Sequence, residues 1–462
     1  MEKKRMPGFP LFDGKFRMTE DRREFFRDLR TLALPVTLQC LLQSSFSVVD
    51  QVMTGQLGSV SVAAVGLSGK FISLFSVMVQ ALAAMASIVI AQAVGKGDKK
   101  EECRGFFTSL LFSLILAAGF SALCLAAPHT VMQVYSQDTQ MVDTAAAYLR
   151  IYAAGFFPFV LYNLCAAWLR CRSAAMFPLY AGICSALLNT ALNYVLIFGK
   201  AGFPAMGVEG AAIASVIAQW AGALVVAAGF FFRARKESGF AFALYRRGAG
   251  LKKYLVIFVP MFACKLFWIL GENAYAFVYG HMGTDAAAAM TLINPVVSLT
   301  IGAMTGISQA AGILTGRCLG AGDPEKAKTV SRRLLATGLA GSVFFSGVLV
   351  LCAPFYPGIF RAGAEVLAQT GYILYAYAVL LPVKVLNMIL CEGILRSGGK
   401  TKYVMWIYTA GAWGVGVPLA FLSAFAFGLP VYWVYFILSQ EETVRLVFSL
   451  VVFRRGNWMQ RL

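Results

Sequence analysis

The chain has 462 residues, 59% hydrophobic and only 13% charged, with a formal net charge of +18. A soluble domain carries about a quarter charged residues, so a soluble globular class is excluded. No nucleic-acid reading motif accompanies the basic balance, and ten cysteines without a Cys-x-x-Cys pair, with two histidines, His129 and His281, leave no common zinc or haem pattern.

In chain order, residues 1–30 are polar and basic, without a cleavable signal pattern. Phe25, Phe26 and Leu29 among arginines and aspartates predict either a helix on the inner membrane surface or a frayed tail. Twelve apolar stretches follow, at 31–54, 61–93, 106–128, 145–169, 175–199, 207–232, 254–279, 286–315, 333–353, 370–395, 403–427 and 429–453. Each is long enough to cross a bilayer as a helix, and 61–93 is longer than needed, so it should tilt or emerge. Pro295 and Pro418 fall inside predicted helices, where static kinks are expected. The cysteines, mostly within the spans, read as small packing residues.

The two halves repeat. Pro35, Gly55, Gly58, Ala63, Gly95, Gly97 and Asp98 reappear 225 positions later as Pro260, Gly280, Gly283, Ala288, Gly320, Gly322 and Asp323. Pro158, Asn163, Arg172 and Ser173 reappear 224 positions later as Pro382, Asn387, Arg396 and Ser397. The reading is an all-α polytopic membrane protein, twelve transmembrane helices in two six-helix lobes related by a pseudo-two-fold repeat, the usual plan of a secondary transporter. The divisions are a cytoplasmic N-terminal segment 1–30, an N-lobe 31–232, a cytoplasmic linker 233–253, a C-lobe 254–453 and a cytoplasmic tail 454–462.

Of the 40 Lys and Arg, 33 fall before the first span, near 96–104, at Arg170 and Arg172, in 233–253, 317–333 and 396–402, and in the tail. The positive-inside rule then puts both termini in the cytoplasm of a cell whose inner (plasma) membrane holds the chain.

Ionisable groups at bilayer depth cost about 2.5–3.5 kcal/mol on insertion scales and mark functional sites. The candidates are Asp50, Lys70, Lys265, Glu272, Lys384 and Glu392. Asp50 shares one helix face with Gln39, Gln43, Ser47 and Thr54, and lipid cannot satisfy such a stripe. The repeat carries this face onto Trp268, Glu272, Tyr275 and Tyr279, with Lys265 opposite Cys40, so both halves should contribute to a central cavity. Lys265 and Glu272 read either as an ion pair or as a functional site; Tyr279 reads as an interface-belt aromatic. Lys384 and Glu392 could pair with Lys265 and Glu272, with Glu392–Arg396 the favoured bridge; Lys70 reads as a snorkelling lysine. Tyr148, Asn163, Asn189, Asn193 and Ser215 are neutral donors and acceptors that could hold a proton or a small cation with Asp50.

The ordered set Pro35, Gln43, Asp50, Gly55-Gln56-Leu57-Gly58, Ala63-Ala64-Val65-Gly66, Ala93 to Asp98, Leu169 to Arg172, Leu188-Asn189, Asn193, Ile197 and Gly207 to Ala212 resembles the multidrug and toxic compound extrusion (MATE) family across essentially the whole chain. The resemblance implies an exporter that exchanges amphipathic, often cationic, small organic molecules for Na⁺ or H⁺ by rocking two lobes, with no cofactor, as a monomer in the bilayer. It implies that Asp50 is the functional acid and possible Na⁺ ligand of the N-lobe. It also implies that Gln43, Tyr148, Asn163, Asn189 and Ser215 form the network around that acid. Asn193 stands where some members carry a second Asp. Ser47, Thr54, Lys265, Trp268, Glu272, Tyr275 and Lys384 are the expected substrate cavity. A flippase for a lipid-linked precursor and an intramembrane enzyme using Asp50 or Glu272 are the rival readings; twelve spans, Asp50 and the lack of paired acidic or metal-ligand motifs count against them. The N-lobe is expected to couple the ion, and the C-lobe to supply mainly cavity surface.

Overall fold

A computed structural model describes residues 13–236, 251–360 and 362–461 as helices and short connections, with no strand among them. The N-lobe contains α1 (Asp13–Gly55), α2 (Ser59–Lys96), α3 (Lys99–Ala126), α4 (Thr139–Cys171), α5 (Met176–Phe198) and α6 (Gly207–Lys236). The C-lobe contains α7 (Leu251–His281), α8 (Thr284–Gly320), α9 (Pro324–Cys352), α10 (Ala364–Leu395), α11 (Thr401–Ala426) and α12, made of Val431–Leu438 and Gln440–Arg455. Among the described residues ten helices are long and apolar enough to span by composition alone; α1 and the two-piece α12 complete the twelve.

Several boundaries differ from the sequence reading. From Asp13 on, the N-terminal segment is neither a separate surface helix nor frayed, because α1 runs unbroken to Gly55. Phe25, Leu29, Leu32 and Val36 follow a helical stripe and are buried, and the Arg333 guanidinium lies 5.8 Å over the Phe25 ring. Helix α4 starts at Thr139 because Asp138 caps it, its carboxylate accepting from the Gln140 and Met141 N–H groups. Residues 237–250 of the expected linker lie outside the described residues; the rest of 233–253 extends α6 and α7. The tail is docked: Trp458 is 1% exposed and stacked on Phe453, and its indole N–H donates to the Phe453 carbonyl.

Proline acts unevenly. Helix α8 passes Pro295 as regular α-helix. In α11, Pro418 sits between two π-helical turns, Ala412–Gly416 and Leu422–Ala426, and α10 becomes π-helical over Met388–Leu395 after Pro382. The ten cysteines are all free, and most are buried in packing positions.

The repeated glycines and aspartates serve one job. Gly97 (φ 73°) closes α2 in the left-handed conformation, and Asp98 opens α3 by accepting from the Glu101 N–H at 3.0 Å. That hydrogen bond, with Lys96 alongside, holds the Asp98 carboxyl below its usual range. Between α8 and α9, Gly322 (φ 81°) and Asp323, accepting from Lys326 N–H at 2.8 Å, repeat the turn. We call the end of the molecule carrying these two turns, Arg170–Ser173, Arg396–Lys402 and the chain end the basic end.

There the lobes interlock reciprocally. A Cβ on Gly95 would collide with the Arg317 carbonyl, and one on Gly320 with the Gln92 carbonyl. Gln92 Nε2 donates to the Ser397 carbonyl at 2.7 Å, while Arg317 donates to the Cys171 carbonyl and, at 2.9 Å, to Ser173 Oγ. Gln92 and Arg317 are repeat equivalents, as are Ser173 and Ser397, so the two bridges form one pseudo-two-fold pair. Thr37 Oγ1 on α1 donates to Ala303 O on α8 at 2.8 Å, and Leu82, Met85 and Val89 of α2 pack with Tyr254, Ile257 and Met261 of α7. These lobe-to-lobe contacts lie in the half of the molecule nearer the basic end, where small residues let backbones approach.

Candidate functional site

Between the lobes lies a cavity of about 790 Å³. The N-lobe wall comes from Gln39, Gln43 and Asp50 of α1, Tyr162 and Asn163 of α4, Asn189 of α5 and Ser215 of α6. The C-lobe supplies Lys265 of α7, Gln309 of α8, and Glu392 and Arg396 at the end of α10.

Asp50 anchors the N-lobe wall. Asn193 donates through Nδ2 to Asp50 Oδ1 at 2.6 Å and to Asn189 Oδ1 at 3.2 Å, and Asn189 Nδ2 donates to Ser215 Oγ at 3.3 Å. Tyr148, another expected member, is buried and stacked on Tyr152, with ring centroids 6.0 Å apart. Helical spacing explains the set: Asn189 and Asn193 are one turn apart on α5, facing α1 and α6. Asn193 is fully buried, and its Oδ1 has no hydrogen-bond partner among the described residues. A buried acceptor without a partner is costly. Carboxylate and amide oxygens are also the hard donors a small alkali cation takes, so the cluster fits either a proton on Asp50 or such an ion.

Two expected members sit apart. Asn163 lines the cavity, but its Nδ2 donates to the Phe159 carbonyl one turn back rather than to the Asp50 cluster. Thr54 is buried and turns its hydroxyl onto the Asp50 backbone carbonyl, so it does not face the cavity. The Ser47 side chain lies outside the described residues.

The end of the cavity nearest the basic end is charged. Lys265 Nζ lies 3.7 Å from Glu392 Oε1 and 5.8 Å over the Trp268 ring. Lys265 therefore pairs with Glu392 rather than with Glu272, and this also replaces the expected Glu392–Arg396 bridge. Arg170 Nη2 donates to Gln39 Oε1 at 2.9 Å; Gln39 Nε2 in turn donates to the Tyr162 hydroxyl at 2.7 Å.

Trp268, Glu272, Tyr275 and Lys384, expected in the cavity, do not line it. For Tyr275 and Lys384 the reason is a second polar cluster inside the C-lobe, around α12. Tyr275 donates to Glu441 Oε2 at 2.5 Å, Arg445 pairs with Glu441 at 2.9 Å and with Glu442 at 3.6 Å, and Lys384 lies 3.9 Å from Glu442. Asn387 Nδ2 donates to Glu442 Oε2 at 2.8 Å. These partners draw Tyr275 and Lys384 into the C-lobe, and Tyr279 is buried there rather than at an interface belt. Tyr408 joins the two regions: its hydroxyl donates to Glu392 at 3.4 Å, and the Arg445 guanidinium sits 4.7 Å over its ring. The sequence reading passed over Glu441, Glu442 and Arg445, although three charges inside the twelfth apolar stretch were a visible signal.

The MatE family pattern matches residues 35–195 and again 260–422, one match in each half. The chain belongs to the MATE family. It is similar to the uncharacterized transporter YisQ of Bacillus subtilis, 25% identical over 94% of this chain and 95% of that one. It is also similar to the multidrug resistance protein NorM of Burkholderia vietnamiensis, 29% identical over 87% and 88% of the two chains. The crystal structure of a MATE protein in complex with MaL6 superposes with a TM-score of 0.83 at 20% identity, covering 93% of this chain and 95% of that one, which shows the shared fold. This MATE protein is thus a multi-pass membrane transporter with twelve helices in two lobes, not an enzyme, from a family of multidrug efflux proteins.

Proposed function

We propose that this MATE protein is an ion-coupled exporter of amphipathic organic compounds, with Asp50 as the coupling residue and the basic end in the cytoplasm. The observation that carries the reading is the position of Asp50. A carboxylate in the wall of the inter-lobe cavity is bonded to Asn193, whose remaining amide oxygen is buried and unpartnered. That 33 of the 40 Lys and Arg fall before the first span, in alternate connections and after the last span supports the orientation. The interlocked basic end is then the closed cytoplasmic gate, and the cavity is reached from outside.

In this state Na⁺ or a proton arrives at Asp50 from the external side. Neutralising the carboxylate weakens the charge-assisted bond from Asn193, about twice as strong as a neutral one. Helix α5 is then free to repack against α1, which changes the N-lobe wall that substrate touches. Coupling needs different affinities for ion and substrate in the two lobe arrangements, so removing the charge uncouples them. Asp50→Asn, nearly isosteric, is expected to abolish gradient-driven efflux of a fluorescent organic cation from loaded vesicles while expression and thermal stability hold. Efflux at the wild-type rate from that variant would sink the reading. Running the wild-type assay with a Na⁺ gradient and with a pH gradient identifies the coupling ion.

A further inference from the structure

We infer that the cavity is bipolar and selects zwitterionic amphipaths: a cationic group at the Asp50 wall and a carboxylate, or an equivalent acidic group, on Arg170 and Arg396. The inference rests on the reading of this cavity as the transport site and adds the chemistry of its opposite end.

The lining holds three cations, Lys265, Arg170 and Arg396, against two carboxylates, Asp50 and Glu392. They are not mixed. Asp50 is surrounded by neutral Asn193, Asn189 and Ser215. All three cations lie with Glu392 toward the basic end. Lys265 occupies Glu392 at 3.7 Å, and Arg396 is the second cation acting on that same carboxylate. Arg170 is held by the neutral amide of Gln39, and its buried Nε has no partner. Among the described residues neither arginine makes an ion pair within 4.0 Å, and Glu392 is set against all three cations, which leaves this end of the cavity net positive. A guanidinium whose N–H groups are out of water and unmatched favours a planar, two-oxygen acceptor.

The spacing suits one molecule reaching both ends. Gln39, which holds Arg170, and Asp50 are eleven residues apart on α1, so the two poles are separated by about 16 Å along the helix axis. The reach of the side chains shortens the charge separation the substrate itself must supply. Arg170 ends α4 and Arg396 follows α10 beside the interlocked gate. When that gate opens, these two arginines become the first charges a cytoplasmic substrate meets, and the acidic group enters last and sits nearest the gate once it closes.

The test uses a matched pair of dyes: a rhodamine with a free carboxylate, zwitterionic at neutral pH, and its methyl ester, a permanent monocation. Binding to purified full-length protein in detergent is followed by fluorescence polarisation, with no ion gradient required. The wild type is expected to bind the zwitterion at least as tightly as the ester. In the double variant Arg170→Gln, Arg396→Gln, zwitterion affinity should fall by about tenfold or more, the loss of one charged hydrogen-bonded contact, while ester affinity changes less than about twofold. Retained ester binding also shows that the variant folds. Equal losses for both dyes, an unchanged zwitterion affinity, or a wild type that binds only the ester overturns the proposal without touching the transport reading. Binding of both dyes with no gradient-driven efflux of either overturns the transport reading instead.

Discussion

Glu102 and Arg172 show what a buried charge does when it is not at the transport site. Glu102 on α3 is 1% exposed, and Arg172 at the end of α4 grips it with both Nε, at 2.9 Å, and Nη2. Removing one partner strands the other charge in a place water cannot reach, which costs about 3–5 kcal/mol. Glu102→Gln is therefore expected to lower the thermal unfolding midpoint in detergent sharply, and Glu102→Leu combined with Arg172→Met to recover much of the loss. A midpoint for Glu102→Gln equal to wild type would contradict the geometry. Asp50 was legible in the sequence because it stands alone among apolar residues with a polar stripe on its own face. Arg445 was visible as a charge, but its role was not, because Glu441 one turn earlier reads as a local partner and only the fold reveals that Tyr275, Lys384 and Asn387 also converge there. The same clustering around α12 explains why the face of α7, legible as polar, does not turn to the cavity.

At the scale of elements, residues 458–460 pack into the lobe-to-lobe contact at the basic end. Trp458 fills a site in which it is 1% exposed, its backbone carbonyl abuts Gly398, and the Gln460 carbonyl accepts from Gln92 Nε2 at 3.1 Å. The sequence showed a short basic tail without periodicity, so nothing local could announce that docking. Gln92 belongs to the N-lobe and Trp458 to the C-lobe, so the tail adds a bond across the interface that the repeat does not duplicate at Arg317. Truncating a buried aromatic to alanine costs about 3–5 kcal/mol. Trp458→Ala should accordingly destabilise the purified protein and raise protease sensitivity near 396–402. A variant as stable and as resistant as wild type would show that the tail is not packed as described.

For the whole molecule, the 225-residue repeat is legible because the lobe-to-lobe contact at the basic end is itself symmetric. Gly95 against Arg317 and Gly320 against Gln92 are the same contact made twice, and only glycine permits it. A valine at either position forces backbone against backbone, an overpacking cost of about 1–3 kcal/mol that applies only while the basic end is closed. A difference of about 1.4 kcal/mol shifts a two-state population tenfold, so each substitution should move the protein toward the arrangement open at the basic end. The measurement is the spin-label distance between Lys100→Cys and Lys328→Cys, near the starts of α3 and α9, in a cysteine-depleted background. Gly95→Val and Gly320→Val should each populate a longer distance, and their similar size would reflect the pseudo-two-fold axis. The charged chemistry offers no such symmetry: Asp50 maps onto Tyr275, which is committed to Glu441. The N-lobe therefore presents the Asp50 carboxylate in its wall, while Arg170 of the N-lobe joins Lys265 and Arg396 of the C-lobe in a cation-rich floor. Opening the gate by either valine should leave the Asp50 network intact and change only the side from which it is reached. Distances that stay at the wild-type value in both variants would mean that the glycine contacts do not set the balance between the two states.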